Sequence, residues 1–540
     1  MSFFGPDVRN GVPIGLGSIV SFGRRRAVFS PASLFSSGEQ GVFYDISDTA
    51  TLFQDSAGTT PVTAVEQPVG LILDKSGRGN HASQTSTSPD KRPVWSARYN
   101  LYLATDTLST QNVTTVATSY RLRFTGAGTI TLSGTATGTY SAGTHTITCT
   151  AGTLTSTVSG TVTDADLRVA NESSALPPYQ RVVTATDYDT TGFPAFLRFD
   201  GTNDALVTNS IDFSTGATNP PLGPELVTNG NFDTASDWTL GAGWSIGGGV
   251  ASRVSDPNVT AITQNDIVPV AGWYRISLDV LSISGRLQVR DSTGSTNFID
   301  TFTTGTKVAI AFLQPGLITI FVRQTSSATI DNVSVKEFDA NYLPDRMSVF
   351  AGVRKLSDAE VVTIELSASV GVNAGAFSVA SGTSTGVDGV RTGWHSGARG
   401  SAALVGAQIA QAYTFTAPDT AVLSSTHDIS GDLSTIRRNA LAGVSATGDK
   451  GTGNFGNYPL YIGARGTTQT VPFNGRLHSL IVLGRTVTAT ELTQTEGYVE
   501  SKTFGKDMNY VLYEPVLGSD GDQITLTAGG DDLFVYQNYE

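Results

Sequence analysis

Residues 41–82 decide the fold: GVFYDISDTATLFQDSAG (41–58) is followed, after twelve residues, by LILDKSGRGNHA (71–82). The segment VFYD predicts a strand, because β-branched and aromatic side chains pack well on a pleated surface. The segment DKSGRGN predicts a turn, since Asp, Asn and Gly adopt left-handed backbone and close side-chain turns. His81 is expected to close that turn. Together these features begin a β-sandwich that this stretch does not complete.

Three later stretches supply the missing strands. They read FLRFDGTNDALV (196–207), MSVFAGVRKL (347–356) and GRLHSLIVLGRTVTATEL (475–492). With the first stretch, they resemble one laminin-G-like, concanavalin-type jelly roll. The resemblance rests on a D-x-SG-x-GN-x-A turn, an F-D-G-x-x-D hairpin and a closing strand followed by T-x-x-E. Asp200 and Asp204 of the hairpin motif are expected to be turn residues.

The stretches GVFYD and DKSGRGNHA also resemble large virion proteins of tailed bacteriophages. Those proteins are tail, fibre or head-decoration components that carry sugar-binding-type domains. The resemblance implies a virion protein that is assembled in the host cytoplasm and that contacts other virion proteins. It also implies a homotrimer, the habit of phage fibres.

The composition and the laminin-G-like resemblance together predict an all-β, multi-domain β-sandwich protein, and the resemblance implies that it is built of jelly rolls with one short helix on the C-terminal side. Of the 540 residues, 59 are Gly and only 15% are charged, which favours strands and tight turns. The length is too great for one core at roughly 150 residues per domain. Thr488 and Glu491 form a capping-box pattern, which predicts a helix over 489–501.

Changes in composition divide the chain into five parts. An apolar, Gly-rich N-terminal arm either docks on a neighbouring subunit or adds an edge strand to its own sandwich. Two insertions with strand patterns of their own interrupt the main jelly roll, and the last segment is a hairpin or a second docking arm. The predicted boundaries are 1–40 for the arm, 41–98 plus 178–218 plus 343–502 for the main jelly roll, 99–177 for the first insertion, 223–339 for the second and 503–540 for the last segment.

The second insertion opens with LVTNGNFD (226–233) and closes with TIDNVSV (329–335). Both segments resemble those of a carbohydrate-binding module of the galactose-binding-like jelly-roll type. The resemblance implies a structural calcium ion, with Asn231 and Asp331 at the matching positions. The alternative is that both residues only make turn hydrogen bonds. No cofactor is expected to be required, and calcium is the one metal left open.

Glycan binding would use aromatic rings that stack on sugar rings. The candidates are Trp238, Trp244, Tyr274 and Trp394. Trp244 and Trp394 stand in Gly-rich surroundings that favour exposed loops. The alternative for each ring is a place in a core.

Charge and cysteine content exclude several classes of function. The net charge of −13 argues against nucleic-acid binding, which needs clustered basic residues. No apolar run approaches the ~20 residues of a membrane helix, so no membrane insertion is expected. Cys149 is the single cysteine, which rules out an intrachain disulfide and a thiolate zinc site. It is expected to be a small buried residue in a strand.

Catalytic patterns are weak, and the chain is predicted not to be an enzyme. Glu360 and Glu365 come closest to the paired glutamates that a retaining glycoside hydrolase needs on one face of a strand. Their odd spacing, however, points them to opposite faces of a strand. Two G-x-S-x-G matches, at Ser245 and Ser384, lie in β context rather than at a strand-to-helix elbow. The five histidines are scattered.

The predicted function is that of a structural phage protein anchored by its arm, with sandwiches that adhere to a host-surface polysaccharide or glycan, as in tail or fibre receptor binding. Two alternatives stay open. One is a capsid-decoration or head-fibre protein without an essential ligand, and the other is a polysaccharide depolymerase.

Overall fold

The computed structural model describes residues 29–505, except for 174, 295, 324, 369–373, 387–388, 392, 402–408, 413–414 and 467, together with 524–529 and 532–537. Antiparallel strands dominate these residues, and the α-helix among them is α1 (Ala489–Phe504). The predicted all-β, multi-domain sandwich architecture is therefore confirmed. No helix in the described part of the chain is long and apolar enough to cross a membrane. Residues 1–28, on which most of the arm prediction falls, lie outside the described residues.

The strands up to the first return of the chain are β1 (Gly41–Asp45), β2 (Leu52–Phe53), β3 (Gln67–Pro68), β4 (Leu71–Ile72), β5 (Ala82–Ser83), β6 (Val94–Ser96), β7 (Gln111–Thr115), β8 (Thr118–Gly134), β9 (Gly138–Cys149), β10 (Gly152–Ser159), β11 (Thr163–Val169), β12 (Val182–Thr184), β13 (Asp187–Tyr188), β14 (Phe196–Asp200) and β15 (Leu206–Asp212). The next group is β16 (Leu222–Glu225), β17 (Thr239–Leu240), β18 (Trp244–Gly247), β19 (Val250–Arg253), β20 (Thr260–Val268), β21 (Gly272–Ser284), β22 (Leu287–Arg290), β23 (Ile299–Thr301), β24 (Gly305–Leu313), β25 (Gly316–Val322) and β26 (Ser327–Phe338).

The remaining strands are β27 (Arg346–Lys355), β28 (Val361–Leu366), β29 (Ala376–Ser381), β30 (Ser384–Gly386), β31 (Gly389–Arg391), β32 (Trp394–Arg399), β33 (Ile409–Ala412), β34 (Asp419–Asp428), β35 (Leu433–Arg438), β36 (Val444–Ala446), β37 (Asn457–Ile462), β38 (Asn474–Leu483), β39 (Ile524–Gly529) and β40 (Asp532–Gln537). Short 3-10 helices occupy Pro31–Phe35, Thr49–Thr51, Pro89–Lys91 and Ala340–Tyr342.

Two large sheets form the main sandwich. The first runs β3-β6-β14-β38-β27-β34-β35-β36, with β1 also paired to β38, and the second runs β2-β4-β5-β15-β37-β28-β29-β32-β33. The chain leaves these sheets after Ser96 and returns at Phe196, then leaves after Asp212 and returns at Arg346. Apolar side chains from both sheets, such as Trp394, meet in one core between them.

Each insertion has a core of its own. The first forms one sheet, β11-β8-β10-β7 with β9 on β8, around buried residues that include Tyr102 and Phe124. Cys149 is buried in β9 and belongs to this core, which confirms the prediction for that residue. The second insertion forms two sheets, β18-β19-β26-β21-β24, with β16 also paired to β26, and β17-β20-β25-β22-β23.

Helix α1 covers part of the outer face of the first main sheet. Its Val499 packs with Phe350 and Ile481 of that sheet. Thr488 and Glu491 form the predicted capping box, and the helix continues three residues past the predicted end at 501. The 3-10 helix Pro31–Phe35 joins the same apolar cluster, so this part of the predicted arm packs on its own sandwich.

The turn at 74–82 ties the first strand in place. The Asp74 N–H donates to His81 Nδ1 at 2.9 Å, which confirms that His81 closes the turn. Asp74 Oδ1 accepts from the Phe43 N–H at 2.9 Å. The turn therefore holds β1 through a side chain as well as through sheet pairing.

The hairpin between β14 and β15 contains a buried carboxyl group. Asp204 Oδ2 accepts from the Asp200 N–H at 2.9 Å, and Asp200 Oδ1 accepts from the Thr202 N–H at 2.7 Å. Burial raises the pKa of Asp204 to about 7, and this effect outweighs the hydrogen bond that favours the ionised form. The folded protein therefore binds a proton here that the unfolded chain releases at lower pH.

Replacement of Asp204 by Asn tests this consequence. Because the folded pKa lies above the unfolded value, wild-type stability should fall as pH rises from about 4 to about 7. Asn keeps the acceptor oxygen and cannot ionise. The variant should match the wild type at pH 3 and exceed it at pH 8 by roughly 2 kcal/mol, about half the full shift because nearby water screens the charge. Urea unfolding at both pH values measures this, and an equal difference at both would contradict it.

Candidate ligand-binding cleft

Strand register places three arginines side by side on the outer face of the first main sheet. In β14 and β38, Leu197 pairs with Leu477 and Arg198 pairs with Arg476. The neighbouring pairing of β38 and β27 sets Arg354 beside the same Arg476. Because alternate residues face opposite sides of a sheet, the leucines enter the core and the arginines point outward. We call Arg198, Arg476 and Arg354 the arginine row.

Like charges on directly paired strands destabilise a sheet, since their Cβ atoms lie about 5 Å apart. Two carboxylates offset the row. Arg354 Nη1 lies 2.7 Å from Glu172 Oε1 of the first insertion, and Arg476 Nη1 lies 3.5 Å from the same atom. Arg198 Nη2 lies 2.9 Å from Glu66 Oε2. Glu172 therefore joins the first insertion to the main sandwich through two arginines.

Aromatic rings stabilise the central arginine further. The guanidinium carbon of Arg476 lies 4.3 Å from the Phe196 ring centroid and 4.9 Å from that of Tyr99. Burial lowers the pKa of Arg476, although Glu172 opposes that effect. A guanidinium remains charged in proteins at ordinary pH, so Arg476 is a permanent cation held between two rings.

A cleft opens beside this row, between the first insertion and the main sandwich. It has a volume of about 410 Å³ and a lining of mixed polar and apolar side chains. We call it the junction cleft. Its described lining consists of Arg98, Arg198, Arg476, Asn100, Gln111, Asn112, Thr114, Leu101, Leu103, Val113, Phe196 and Leu356.

The segment that leads into the first insertion supplies one cation to the cleft, Arg98, and the insertion supplies several amide groups. Arg98 is fixed by its own loop, since its Nε donates to the Asn100 carbonyl at 2.9 Å and its Nη2 to the Leu101 carbonyl at 2.8 Å. Gln111 is held by two hydrogen bonds to the Leu103 backbone, each 3.0 Å long. Asn112 is exposed on β7 and stands at the rim of the cleft. The cleft therefore combines fixed cations with amide groups and an apolar wall.

A second hollow of about 510 Å³ lies near the C-terminal end of α1. Trp95 lines it together with Phe193 and Lys502, and several hydroxyl groups complete the lining. Trp95 is half-buried, and its Nε1 donates to the Ile46 carbonyl at 3.0 Å. Sequence reasoning missed Trp95 as a ring that borders an open space, because it considered only aromatic residues in Gly-rich or module-like segments.

The four aromatic residues that the sequence predicts to bind a glycan lie outside the lining of the junction cleft, and all four are buried. Trp238 and Trp244 are each 7% exposed, Tyr274 is 1% exposed and Trp394 is 0% exposed. The expectation that Trp244 and Trp394 stand in exposed loops is wrong: each begins a strand, and each packs in a core. The Trp394 Nε1 donates to Asp419 Oδ2 at 2.8 Å. A part for these rings in ligand binding stays a prediction, and the junction cleft contains none of them.

The two predicted calcium ligands make local hydrogen bonds. Asn231 Nδ2 donates to Asp233 Oδ2 at 2.5 Å, and Asp331 Oδ1 accepts from the Asn332 N–H at 2.7 Å. The backbone connects their neighbourhoods, since the Val333 N–H donates to the Gly230 carbonyl at 2.9 Å. Within the described residues, no cluster of three or more His, Cys, Asp or Glu residues could hold a metal ion. Calcium binding at Asn231 and Asp331 stays a prediction.

Two candidate catalytic groups, Glu365 and His427, are buried. Glu365 is buried and lies 2.9 Å from Arg465 Nε, while Glu360 precedes the strand that contains Glu365. His427 Nε2 lies 3.1 Å from Ser396 Oγ, a contact that sequence reasoning did not anticipate. Both residues are 0% exposed, and burial lowers the pKa of His427 to about 3. This pair is therefore a neutral hydrogen bond of the core.

No family model matches the chain, and no curated protein matches its sequence. Among solved structures, the Ruminococcus gnavus IT-sialidase CBM40 bound to α2,3-sialyllactose is 14% identical over 28% of this chain and 82% of its own, with a TM-score of 0.22. NanB with Optactamide is 15% identical, with 28% of this chain and 23% of the NanB chain covered and a TM-score of 0.19. The secreted serine protease VesC from Vibrio cholerae is 11% identical over 58% and 77%, with a TM-score of 0.16. At TM-scores this low, the likenesses decide neither the fold nor the function of this chain.

Replacement of Glu172 by Gln tests the link between the first insertion and the arginine row. The change leaves Arg354, which is 1% exposed, without its carboxylate partner. Loss of one partner of a buried ion pair should lower the free energy of unfolding by about 3 kcal/mol. Urea titration measures the effect.

The matched control is Asp106→Asn, because Asp106 pairs with Arg181 at 2.8 Å while both side chains are about half exposed. An exposed pair contributes little, so this variant should unfold like the wild type. Equal stability of the Glu172→Gln and Asp106→Asn variants would show that Glu172 does not stabilise the arginine row.

Proposed function

We propose that this protein is a non-enzymatic adhesive component of a tailed-phage particle and that it binds a host-surface glycan in the junction cleft. The observation that carries the proposal is the cleft itself, at about 410 Å³ with fixed cations, amide groups and an apolar wall. Small-molecule sites span ~300–1,000 Å³ and combine apolar walls with a few placed polar groups. The junction cleft falls at the small end of that range, which suits a short stretch of glycan.

The lining supports binding rather than hydrolysis. Glycoside hydrolysis by the usual routes needs two carboxyl groups that flank the scissile bond, about 5 to 10 Å apart. No Asp or Glu occurs among the described residues of the lining. Arginine and amide donors instead offer hydrogen bonds that hold a ligand without attacking it.

The virion assignment is supported by the resemblance of GVFYD (41–45) and DKSGRGNHA (74–82) to tailed-phage virion proteins. In this proposal, the N-terminal arm contacts other virion proteins, three copies assemble, and the sandwiches project outward. Several copies would convert weak binding at single clefts into firm attachment. No cofactor is required, and a structural calcium ion in the second insertion is part of the same proposal.

A glycan array probed with purified protein tests the cleft. The wild type should bind at least one host-surface glycan, and Asn112→Trp should reduce that binding at least tenfold because the indole fills the rim of the cleft. The control is Asn209→Trp, since Asn209 is also exposed on a strand but lies outside the cleft. Equal loss in both variants, or full binding by Asn112→Trp, would contradict the assignment. Release of reducing ends from a bound polysaccharide would instead identify a depolymerase.

Antibody labelling of intact particles tests the virion role. Antibody against residues 99–177, which contribute to the lining of the junction cleft, should label the tail in electron micrographs and should block adsorption to host cells. Sedimentation of the purified protein should give about three times the chain mass of 56.5 kDa. Label spread over the head with unchanged adsorption would instead identify a decoration protein without an essential ligand.

A further inference from the structure

We propose that the junction cleft selects a sugar that bears a carboxylate, such as a uronic acid, and that Arg198, Arg476 and Arg98 recognise this group. This inference rests on the proposed glycan-binding function and adds the chemical class of the ligand. Its first observation is the local charge. The chain carries a net charge of −13, yet the described lining of the cleft has three arginines and no acid.

Arg198, Arg98 and Arg476 line the cleft, and each keeps hydrogen-bond donors that no described residue uses. Arg198 is 45% exposed on its side chain and uses Nη2 for Glu66. Arg98 donates to backbone carbonyls through Nε and Nη2, and within the described residues its Nη1 makes no hydrogen bond. Arg476 contacts Glu172 through Nη1 at 3.5 Å, and its Nε and Nη2 make no hydrogen bond to another described residue. Because a guanidinium presents paired N–H groups, such donors match the two oxygens of a carboxylate.

Arg354, the third member of the arginine row, adds positive charge next to Arg476 without lining the cleft itself. Arg354 is 1% exposed, and its Nε and Nη2 have no hydrogen-bond partner within the described part of the chain. Arg98 and the arginine row thus contribute four guanidinium groups, and Glu66 and Glu172 contribute two carboxylates. The excess of positive charge stands against a low-dielectric wall of apolar side chains. Such a wall focuses the field on an incoming anion.

A neutral sugar would not call for this arrangement. Amide and hydroxyl groups suffice for sugar hydroxyls, whereas like charges on paired strands destabilise the sheet. A ligand carboxylate in the cleft would offset the excess charge. The amide groups of the first insertion would then contact the hydroxyls of the same sugar, and Phe196 would contact its apolar face.

Paired probes on one array test the proposal. Immobilised oligosaccharides that carry glucuronate, galacturonate or N-acetylneuraminate stand beside their carboxyl-reduced neutral forms and beside sulfated neutral oligosaccharides. The wild type should bind at least one carboxylated probe at least tenfold more tightly than its reduced form. Arg198→Gln should lose at least tenfold in affinity for that probe and little for the reduced form.

The control variant is Arg181→Gln. Arg181 resembles Arg198 in exposure, 43% against 45%, and in its single ion pair, but it lies outside the cleft. It should bind like the wild type, and thermal unfolding of all variants would confirm that they fold.

The outcomes separate the two proposals. Equal binding of carboxylated and reduced probes, abolished by Asn112→Trp, would overturn the carboxylate inference and leave glycan binding intact. Preference for a sulfated probe would also overturn it, as would full binding by Arg198→Gln. Failure to bind any saccharide would overturn the proposed function together with this inference.

Discussion

Strand β38 is the element on which the main sandwich depends. It pairs with β1, β14 and β27, which begin at residues 41, 196 and 346, so one strand joins three distant parts of the chain. Closing such long loops is tolerable because the entropy of closure rises only with the logarithm of loop length. Each insertion also buries a core of its own. For the closure of the main sandwich, the distance between the two ends of each folded insertion therefore matters more than the number of residues in that insertion.

The register of β38 fixes what the outer face of the sheet presents. Pairing that buries Leu197, Leu477 and Val353 in the core turns their neighbours Arg198, Arg476 and Arg354 outward. A shift of one residue would exchange the two sets of side chains. Burial of the apolar set therefore fixes the register, and the register in turn places the three arginines side by side. The row is then completed by the first insertion, whose Glu172 contacts two of its arginines. Docking of the insertion and formation of the cleft are thus one event.

Local chemistry made part of this structure predictable from the sequence. The capping box at Thr488 and Glu491 and the turn closed by His81 depend on residues a few positions apart, and both occur as predicted. The burial of Cys149 follows from its place in an alternating strand. Each of these features depends on short-range hydrogen bonds or on strand alternation, which a sequence displays directly.

The cleft could not be predicted in the same way. Its arginines come from segments a hundred or more residues apart, and their alignment depends on pairing register, including a register shift between Gly352 and Val353. The prediction that Trp244 and Trp394 stand in exposed loops was wrong for a related reason. Glycines around Trp244 suggested a loop, but β18 and β19 form a hairpin there that pairs with β26 and turns the indole into the core. Tertiary packing, rather than local composition, decides which rings are covered.

Glu172 connects stability to the proposed ligand chemistry. The Glu172 carboxylate of the first insertion already contacts two arginines of the row, Arg354 and Arg476. It offsets the repulsion between their like charges, which would otherwise destabilise the sheet. Arg198 and Arg476 line the cleft, and a sugar carboxylate there would complete the neutralisation that Glu172 begins. Binding of this kind needs no movement of the sheets, since the cations are fixed before the ligand arrives. A rigid site of modest size is compatible with the proposed adhesive function, in which several copies act together.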